Sequence, residues 1–198
     1  MESTDVLVIG SGIAGLCAAI EAARTGATVT VASAGKTMSG SSFFPGTWGL
    51  GLIGPVNEDD EQDLIDTILA VGGGVADPEL VQAFVHGIPQ AIDWLEQDLG
   101  VELQRPQSAK SAQQKQFIPC FDHKTRMWRG LTRKPLEDAL TTWIESLGIR
   151  LLPRHELIDL VEDTTGKITG AVLFNQTDER IVTFTAKATI IAAGGTGG

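Results

Sequence analysis

Residues 5–27 read Asp5-Val-Leu-Val-Ile-Gly10-Ser-Gly12-Ile-Ala-Gly15-Leu-Cys-Ala-Ala-Ile-Glu-Ala-Ala-Arg-Thr-Gly26-Ala27. Val6 to Ile9 is a short, largely β-branched run of the kind buried in a parallel sheet. Gly10, Gly12 and Gly15 have the G-x-G-x-x-G spacing. The first allows a tight turn, the second lets backbone approach a pyrophosphate, and the third lets helix pack closely on strand. Ser11, Ile13 and Ala14 fill the turn and open the helix, whose free N–H groups and positive dipole end suit a diphosphate. The helix is rich in alanine and closes at Gly26. A second strand, Thr28 to Ala32, follows. The glycine spacing is weak evidence alone, but here it sits between the strand and helix it requires. The chain is predicted to bind a dinucleotide.

Sites of the NAD type usually carry Asp or Glu at the end of the second strand, about 20 residues on, to grip a ribose hydroxyl. Here that position is Ser33, followed by Ala34, Gly35 and Lys36, and no carboxylate lies between Glu21 and Glu58. A serine hydroxyl bonds a ribose less strongly than an ionised partner does. Lys36 is a candidate neighbour of a phosphate, weighed against a solvated loop lysine.

Composition narrows the classes. With 198 residues, 23 of them glycine, and 42% hydrophobic content, the chain is too apolar for disorder and suits one large α/β domain, or one and a fragment. Its net charge is −10 with no basic block, which argues against a nucleic-acid or anionic-membrane partner. No apolar run approaches the roughly 20 residues of a membrane span. The acidic N-terminus is unlike a signal peptide. Cys17 and Cys120 stand alone, without the ligand clusters of a metal site, and suggest a reducing, cytoplasmic setting without disulfides.

After the second strand, residues 36–55 are rich in glycine and small residues, yet carry Phe43, Phe44 and Trp48. Such a loop can bring backbone N–H groups close to a flat ligand and wall it with aromatics; the alternative is a packed surface loop. Helices are predicted over Glu58 to Val71, from Asp77-Pro78 to about His86, from Pro89 to about Leu99, and over Lys134 to Leu147. Residues 104–116 are polar and read as a mobile loop. Phe117 to Gly130 holds the local cluster His123, Lys124, Arg126 and Arg129, which reads either as an anion site or, by slight preference, as a strand edge kept soluble by charge. The rest is β-rich: Ile149 to Leu152, Leu157 to Glu162, Ile168 to Asn175, Ile181 to Ala186 and Ala188 to Ala193. Residues 157–187 form a β-meander. The expected fold is α/β, a parallel sheet with helices and an inserted meander.

Three stretches together resemble the flavoprotein family of fumarate reductase, succinate dehydrogenase and L-aspartate oxidase. They are Asp5 to Leu16, Gly40-Ser-Ser-Phe-Phe44, and Ala188-Thr-Ile-Ile-Ala-Ala-Gly-Gly195. Ser33, where most relatives have glutamate, favours the aspartate-oxidase branch. The Gly46-Thr-Trp-Gly49 step departs from the family's Gln/Glu-Gly-Gly, and Lys36 is displaced by two from the usual lysine.

The resemblance implies a Rossmann-like FAD-binding domain over residues 1–198, comprising the N-terminal portion of a longer enzyme and lacking its capping domain. It implies FAD on Gly10, Ser11, Gly12, Ile13, Ala14 and Gly15, with Ser33, Ala34 and Lys36 near the adenosine ribose. Ser41, Ser42, Thr47, Trp48 and Gly49 would line the flavin. Leu157 would offer a backbone contact to adenine, or be an ordinary core residue, and Ala193 and Gly194 would approach the diphosphate. Ser41 stands where the respiratory branch has a histidine bonded to FAD, so FAD would be held non-covalently. The reaction implied is hydride transfer between FAD and a small substrate, a dicarboxylate. A flavin-binding module without activity, completed by a second chain, is the alternative. A nicotinamide-dependent dehydrogenase is disfavoured by the glycine–aromatic loop and the meander. No catalytic residue is assigned, because the family's substrate-binding residues lie in the cap.

Overall fold

The apolar run at residues 6–9 forms the inner end of a strand at the middle of a six-stranded sheet. A computed structural model of the chain describes residues 2–44, 51–107, 124 and 126–195, and at Ser42 the backbone alone. In chain order the elements are β1 (Glu2–Ile9), α1 (Ile13–Arg24), β2 (Val29–Ser33), a 3₁₀ turn (Ser41–Phe43), β3 (Leu52–Gly54), α2 (Glu58–Val71) and α3 (Pro78–Asp93). There follow a π-helical turn (Trp94–Asp98), β4 (Met127–Arg129), α4 (Arg133–Ser146), β5 (Arg150–Pro153), β6 (His155–Glu162), β7 (Ile168–Asn175) and β8 (Arg180–Ile191). They fall into two compact units, residues 1–47 with 137–198, and residues 48–136.

In the first unit the strand order is β5-β2-β1-β8-β7-β6. β5, β2, β1 and β8 are parallel, and β7 and β6 continue as an antiparallel meander. Val8 of β1 sits in register between Val31 of β2 and Ile190 of β8. β2 is buried at all five residues, as a central parallel strand must be. Alternation sends Leu7 and Ile9 to one face, where they join Ala32, Leu152, Ala171, Leu173, Phe184 and Ala186 in a single core. Each large side chain buried there contributes on the order of 1.5–3 kcal/mol. α1 buries Leu16, Ala19, Ile20 and Ala23, a stripe at helical spacing. Its last turn is tied to α4 by Arg24, whose guanidinium lies 5.4 Å from the Trp143 ring centroid.

Two predicted strands, 181–186 and 188–193, are one strand. β8 runs unbroken from Arg180 to Ile191 because it trades partners: residues 180–185 pair with β7, and residues from Phe184 onward pair with β1. Lys187, the exposed residue that suggests a break, reaches Asp5 with its ammonium at 2.6 Å. Asp5 also accepts hydrogen bonds from the Thr28 N–H (2.8 Å) and hydroxyl (2.7 Å). The Lys187 ammonium first, then these Thr28 bonds, hold the Asp5 carboxyl well below the usual carboxylate range. The folded form is thus the weaker acid-binding state. Its contribution is present above the ordinary Asp value of 3.8 and fades as pH falls below it. Asp5→Asn is expected to lower the neutral plateau of a stability–pH profile, flatten its acid limb and meet the parent at low pH; an unchanged acid limb would refute this.

In the second unit, α2 opens on Asn57, whose side chain accepts from the Asp60 N–H, and Asp60 reaches back to the Val56 N–H at 2.8 Å. α3 opens on Asp77, accepting from the N–H groups of Glu79 and Leu80. The two helices predicted over 78–86 and 89–99 are a single one, and Pro89 lies inside it. Proline leaves the Val85 carbonyl without its usual donor, but the buried stripe Val81, Val85, Ile88 and Ile92 runs across it and keeps the helix together. The helix then widens, with the Leu99 N–H donating five residues back to the Trp94 carbonyl at 2.9 Å.

β3 and β4 form a short antiparallel pair that no periodicity announces. The start of the loop predicted at 104–116 is fixed: Gln104 bridges Gly130, and Arg105 makes a bidentate pair with Glu96, both bonds 2.7 Å. Residues 108–116 and His123 lie outside the described residues. The cation cluster is neither a solvated strand edge nor an anion site at its centre. Arg126 is wholly buried, and its guanidinium binds the carboxylates of Asp60 and Asp63 on α2.

Candidate dinucleotide cleft

In the first unit a cleft of about 720 Å³ opens at the carboxyl ends of β2, β1 and β8. The chain leaves β1 toward β2 and β5 on one side, whereas β8 packs on the other, so this is the point where strand order reverses. Ligands of parallel α/β sheets bind at such points. The floor is Gly10 to Ala14 after β1 and, at the end of β8, Ile191 to Gly194. One wall is Ser33, Ala34 and Gly35 with His155, Glu156 and Leu157; the other is Ser39, Gly40 and Ser41.

The three glycines have different reasons to be there. Gly10 has φ +113°, and a Cβ on it would lie 2.1 Å from the Ala192 carbonyl oxygen. A Cβ on Gly15 would lie 2.0 Å from the Gly10 carbonyl oxygen. Both are demanded by the fold alone. Gly12 has φ −70°, open to any residue, and among the described residues a Cβ there would meet only the Ser39 carbonyl, at 3.9 Å. No other described residue fills this space. Gly12 is also the cap of α1, which has no side-chain cap and no acidic residue in its first turn, while α2 and α3 have both. A floor of open backbone and an uncapped, positively polarised helix end fit a diphosphate.

The Lys36 carbonyl helps hold the wall at residues 39–41. The Lys36 oxygen accepts from the Ser11 hydroxyl at 3.4 Å and from the Ser39 hydroxyl. Ser11 is buried, so its hydroxyl serves this loop. Gly40, at φ +90°, turns the chain into the 3₁₀ turn whose Phe43 is buried.

The structure therefore brings together Gly10, Ser11, Gly12, Ile13, Ala14, Ser33, Ala34, Ser41, Leu157, Ala193 and Gly194 around one cleft. Gly15 lies beneath it. Lys36 does not line it; its side chain is exposed. The Ser42 side chain and Thr47, Trp48 and Gly49 lie outside the described residues. Leu157 lines the cleft and also packs against the sheet core. Sequence reasoning missed His155 and Glu156, adjacent to a residue it chose. Nearby on α1, half-buried Cys17 has its thiol pushed up to about 11, by burial first and then by the Glu21 carboxylate, so it is a poor nucleophile at neutral pH.

A family model described as "FAD binding domain" matches residues 5–198. The chain is similar to the L-aspartate oxidase of Halobacterium salinarum, 36% identical over 211 aligned positions that cover 98% of this chain and 38% of that protein. It is 27% identical to the vinyl phenol reductase of Lactiplantibacillus plantarum, over 98% of this chain and 38% of the other. Its fold matches the open conformation of a flavocytochrome c3 fumarate reductase with a TM-score of 0.76 at 23% identity, covering 99% of this chain and 34% of that one. The chain thus spans less than two fifths of the length of these relatives. It belongs to the FAD-binding-domain family of the flavin-dependent oxidoreductases, with L-aspartate oxidase among its relatives.

Proposed function

We propose that the cleft holds FAD without a covalent bond, as part of an oxidoreductase of the fumarate reductase and L-aspartate oxidase type. The observation that carries this reading is the space at Gly12, which neither packing nor backbone conformation requires and which a pyrophosphate would fill. Gly10 to Ala14 and the start of α1 hold the diphosphate, with Ala193 and Gly194 closing on it from β8. Ser33 and Ala34 meet the adenosine ribose, and Leu157 offers backbone to adenine. Ser41 faces the flavin; Lys36 stays at the rim.

FAD supplies the acceptor and donor of a hydride, and these residues bind it, orient it and shield its reactive ring. The stretch 36–55 contains no histidine, so the attachment used in the respiratory enzymes has no partner here. The substrate of the whole protein is a small molecule, by the names of its relatives a carboxylate or an unsaturated compound. The net charge of −10 and the absence of a basic block fit a protein without nucleic-acid partners, and two isolated cysteines fit the cytoplasm. Among the described residues no helix is long and apolar enough to cross a membrane.

The purified protein is expected to be yellow and to release that colour into the supernatant on acid precipitation. Colour kept in the pellet would overturn the non-covalent assignment. A colourless protein that takes up no added FAD would overturn the binding itself. A second reading, a binding module whose active site is completed by another chain, is favoured by the cleft's lack of any Lys or Arg among its described lining residues. The intact mass of the source protein separates the two.

A further inference from the structure

The strand that should carry a ribose-binding carboxylate does not have one. β2 ends in Ser33-Ala34-Gly35, and the nearest acid along the chain is far away. The fold brings one in from elsewhere. β5 stops at Pro153, Arg154 turns the backbone at φ +57°, and β6 starts at His155. Two bonds fix this corner: the Arg154 N–H donates to the Gly35 carbonyl (3.0 Å), and the Gln176 N–H donates to the Arg154 carbonyl (2.9 Å). A third, between His155 Nδ1 and the Pro153 carbonyl at 2.8 Å, sets the imidazole. The loop after β2 and the start of β6 are thereby locked side by side, and Glu156 joins Ser33, Ala34 and Gly35 in the lining of the cleft.

Resting on the FAD reading, we propose that Glu156 accepts hydrogen bonds from the adenosine ribose hydroxyls, in place of the carboxylate that β2 lacks. Its Oε2 is held by the Gln176 Nε2 amide at 3.3 Å, and a carboxylate has about four acceptor positions, so capacity remains for a ligand. Glu156 is the one carboxylate among the described lining residues, which include no Lys or Arg. A negative charge in a cleft for a diphosphate is repulsive, and that repulsion weakens with distance. It is tolerable at the wall of Ser33 to Gly35, away from the diphosphate floor at Gly10 to Ala14, where it can meet hydroxyl donors. An ionised acceptor here forms stronger bonds than the Ser33 hydroxyl can.

The test measures dissociation constants of the full chain for FAD, ADP, 2′-deoxy-ADP and 3′-deoxy-ADP, with thermal melts to confirm folding. ADP carries the adenosine end without the flavin. Glu156→Gln and Glu156→Ala are expected to bind FAD and ADP about tenfold or more weakly, the scale of one lost charge-assisted bond. Removing the contacted ribose hydroxyl is expected to weaken the parent by a similar factor and the Glu156→Ala variant hardly at all. Variants that bind ADP as tightly as the parent, or tighter through relief of repulsion, would overturn the assignment while FAD binding stands. So would a deoxy penalty that persists in full in Glu156→Ala. A parent that binds neither FAD nor ADP would overturn the FAD reading and the assignment with it.

Discussion

Gly12→Ala is expected to fold as the parent does and to bind FAD about 100-fold more weakly, a loss equal to two charge-assisted hydrogen bonds between backbone and diphosphate. The reasoning is steric. Among the described residues the new methyl would touch nothing but the Ser39 carbonyl, at 3.9 Å, and the backbone at φ −70° accepts alanine without strain. Stability should therefore hold, and the alanine even gains slightly by restricting the unfolded chain. What the methyl does occupy is the approach to the N–H groups at the start of α1. Gly15→Ala is the opposite case. Its Cβ would lie 2.0 Å from the Gly10 carbonyl oxygen, so the helix must move off the strand, at a cost of about 3 kcal/mol. Thermal melts without ligand and FAD titrations of both variants check the pair. If Gly12→Ala lost stability or kept its affinity, Gly12 would be structural and the cleft would lose its main claim to a diphosphate.

The second large effect lies at Arg126. Its side chain is fully buried, binding the Asp60 carboxylate, the Asp63 carboxylate at 2.8 Å and the Thr67 hydroxyl at 3.4 Å. Asp60 also receives the Val56 N–H, so the arginine is locked onto the first turn of α2. The Asp63 carboxyl is held below its ordinary range by Lys124 first and by Arg126 as well. Arg126→Ala leaves a void and strands the carboxylates. Breaking a buried pair costs about 3–5 kcal/mol, and the lower end applies because Asp60 and Asp63 keep some contact with water. The measurement is urea unfolding followed by fluorescence, since the neighbouring Trp128 is buried. Arg126→Met, which keeps most of the volume, should lose less. A loss under about 1 kcal/mol for Arg126→Ala would show the pair to be a surface one in energetic terms.

The contrast between these two sites shows what could be read from the chain. Gly12 was legible because the strand, turn and helix around it are contiguous, and the chemistry of a glycine turn is local. The same holds for Ser33, the end of a strand visible from its own composition. Arg126 was not legible. A charged residue in a polar stretch reads as solvated, and its two acidic partners are more than 60 residues away on α2. His155 and Glu156 were missed for a related reason: the corner at Arg154 is held by bonds to Gly35 and Gln176, which no periodicity records. Pro89 misled because a proline argues locally for a helix end, whereas the buried stripe from Val81 to Ile92 kept the helix whole. β8 was cut in two because its exposure pattern changes where it passes from one partner strand to the other.

The place of β8 in the sheet bears on how this protein is born. β1 is made about 170 residues before β8 begins, yet they are neighbours, with Val6 beside Ala188 and Ile9 beside Ile191. At synthesis rates of about 5–20 residues per second, β1 waits roughly 10–40 s with one apolar edge unsatisfied before its partner leaves the ribosome. Pairing across so much chain is slow even afterwards, because the loop must close before any contact rewards it. The cleft at the end of β1 therefore stays half-built until β8 has been made, because Ile191 to Gly194 supply one side of it.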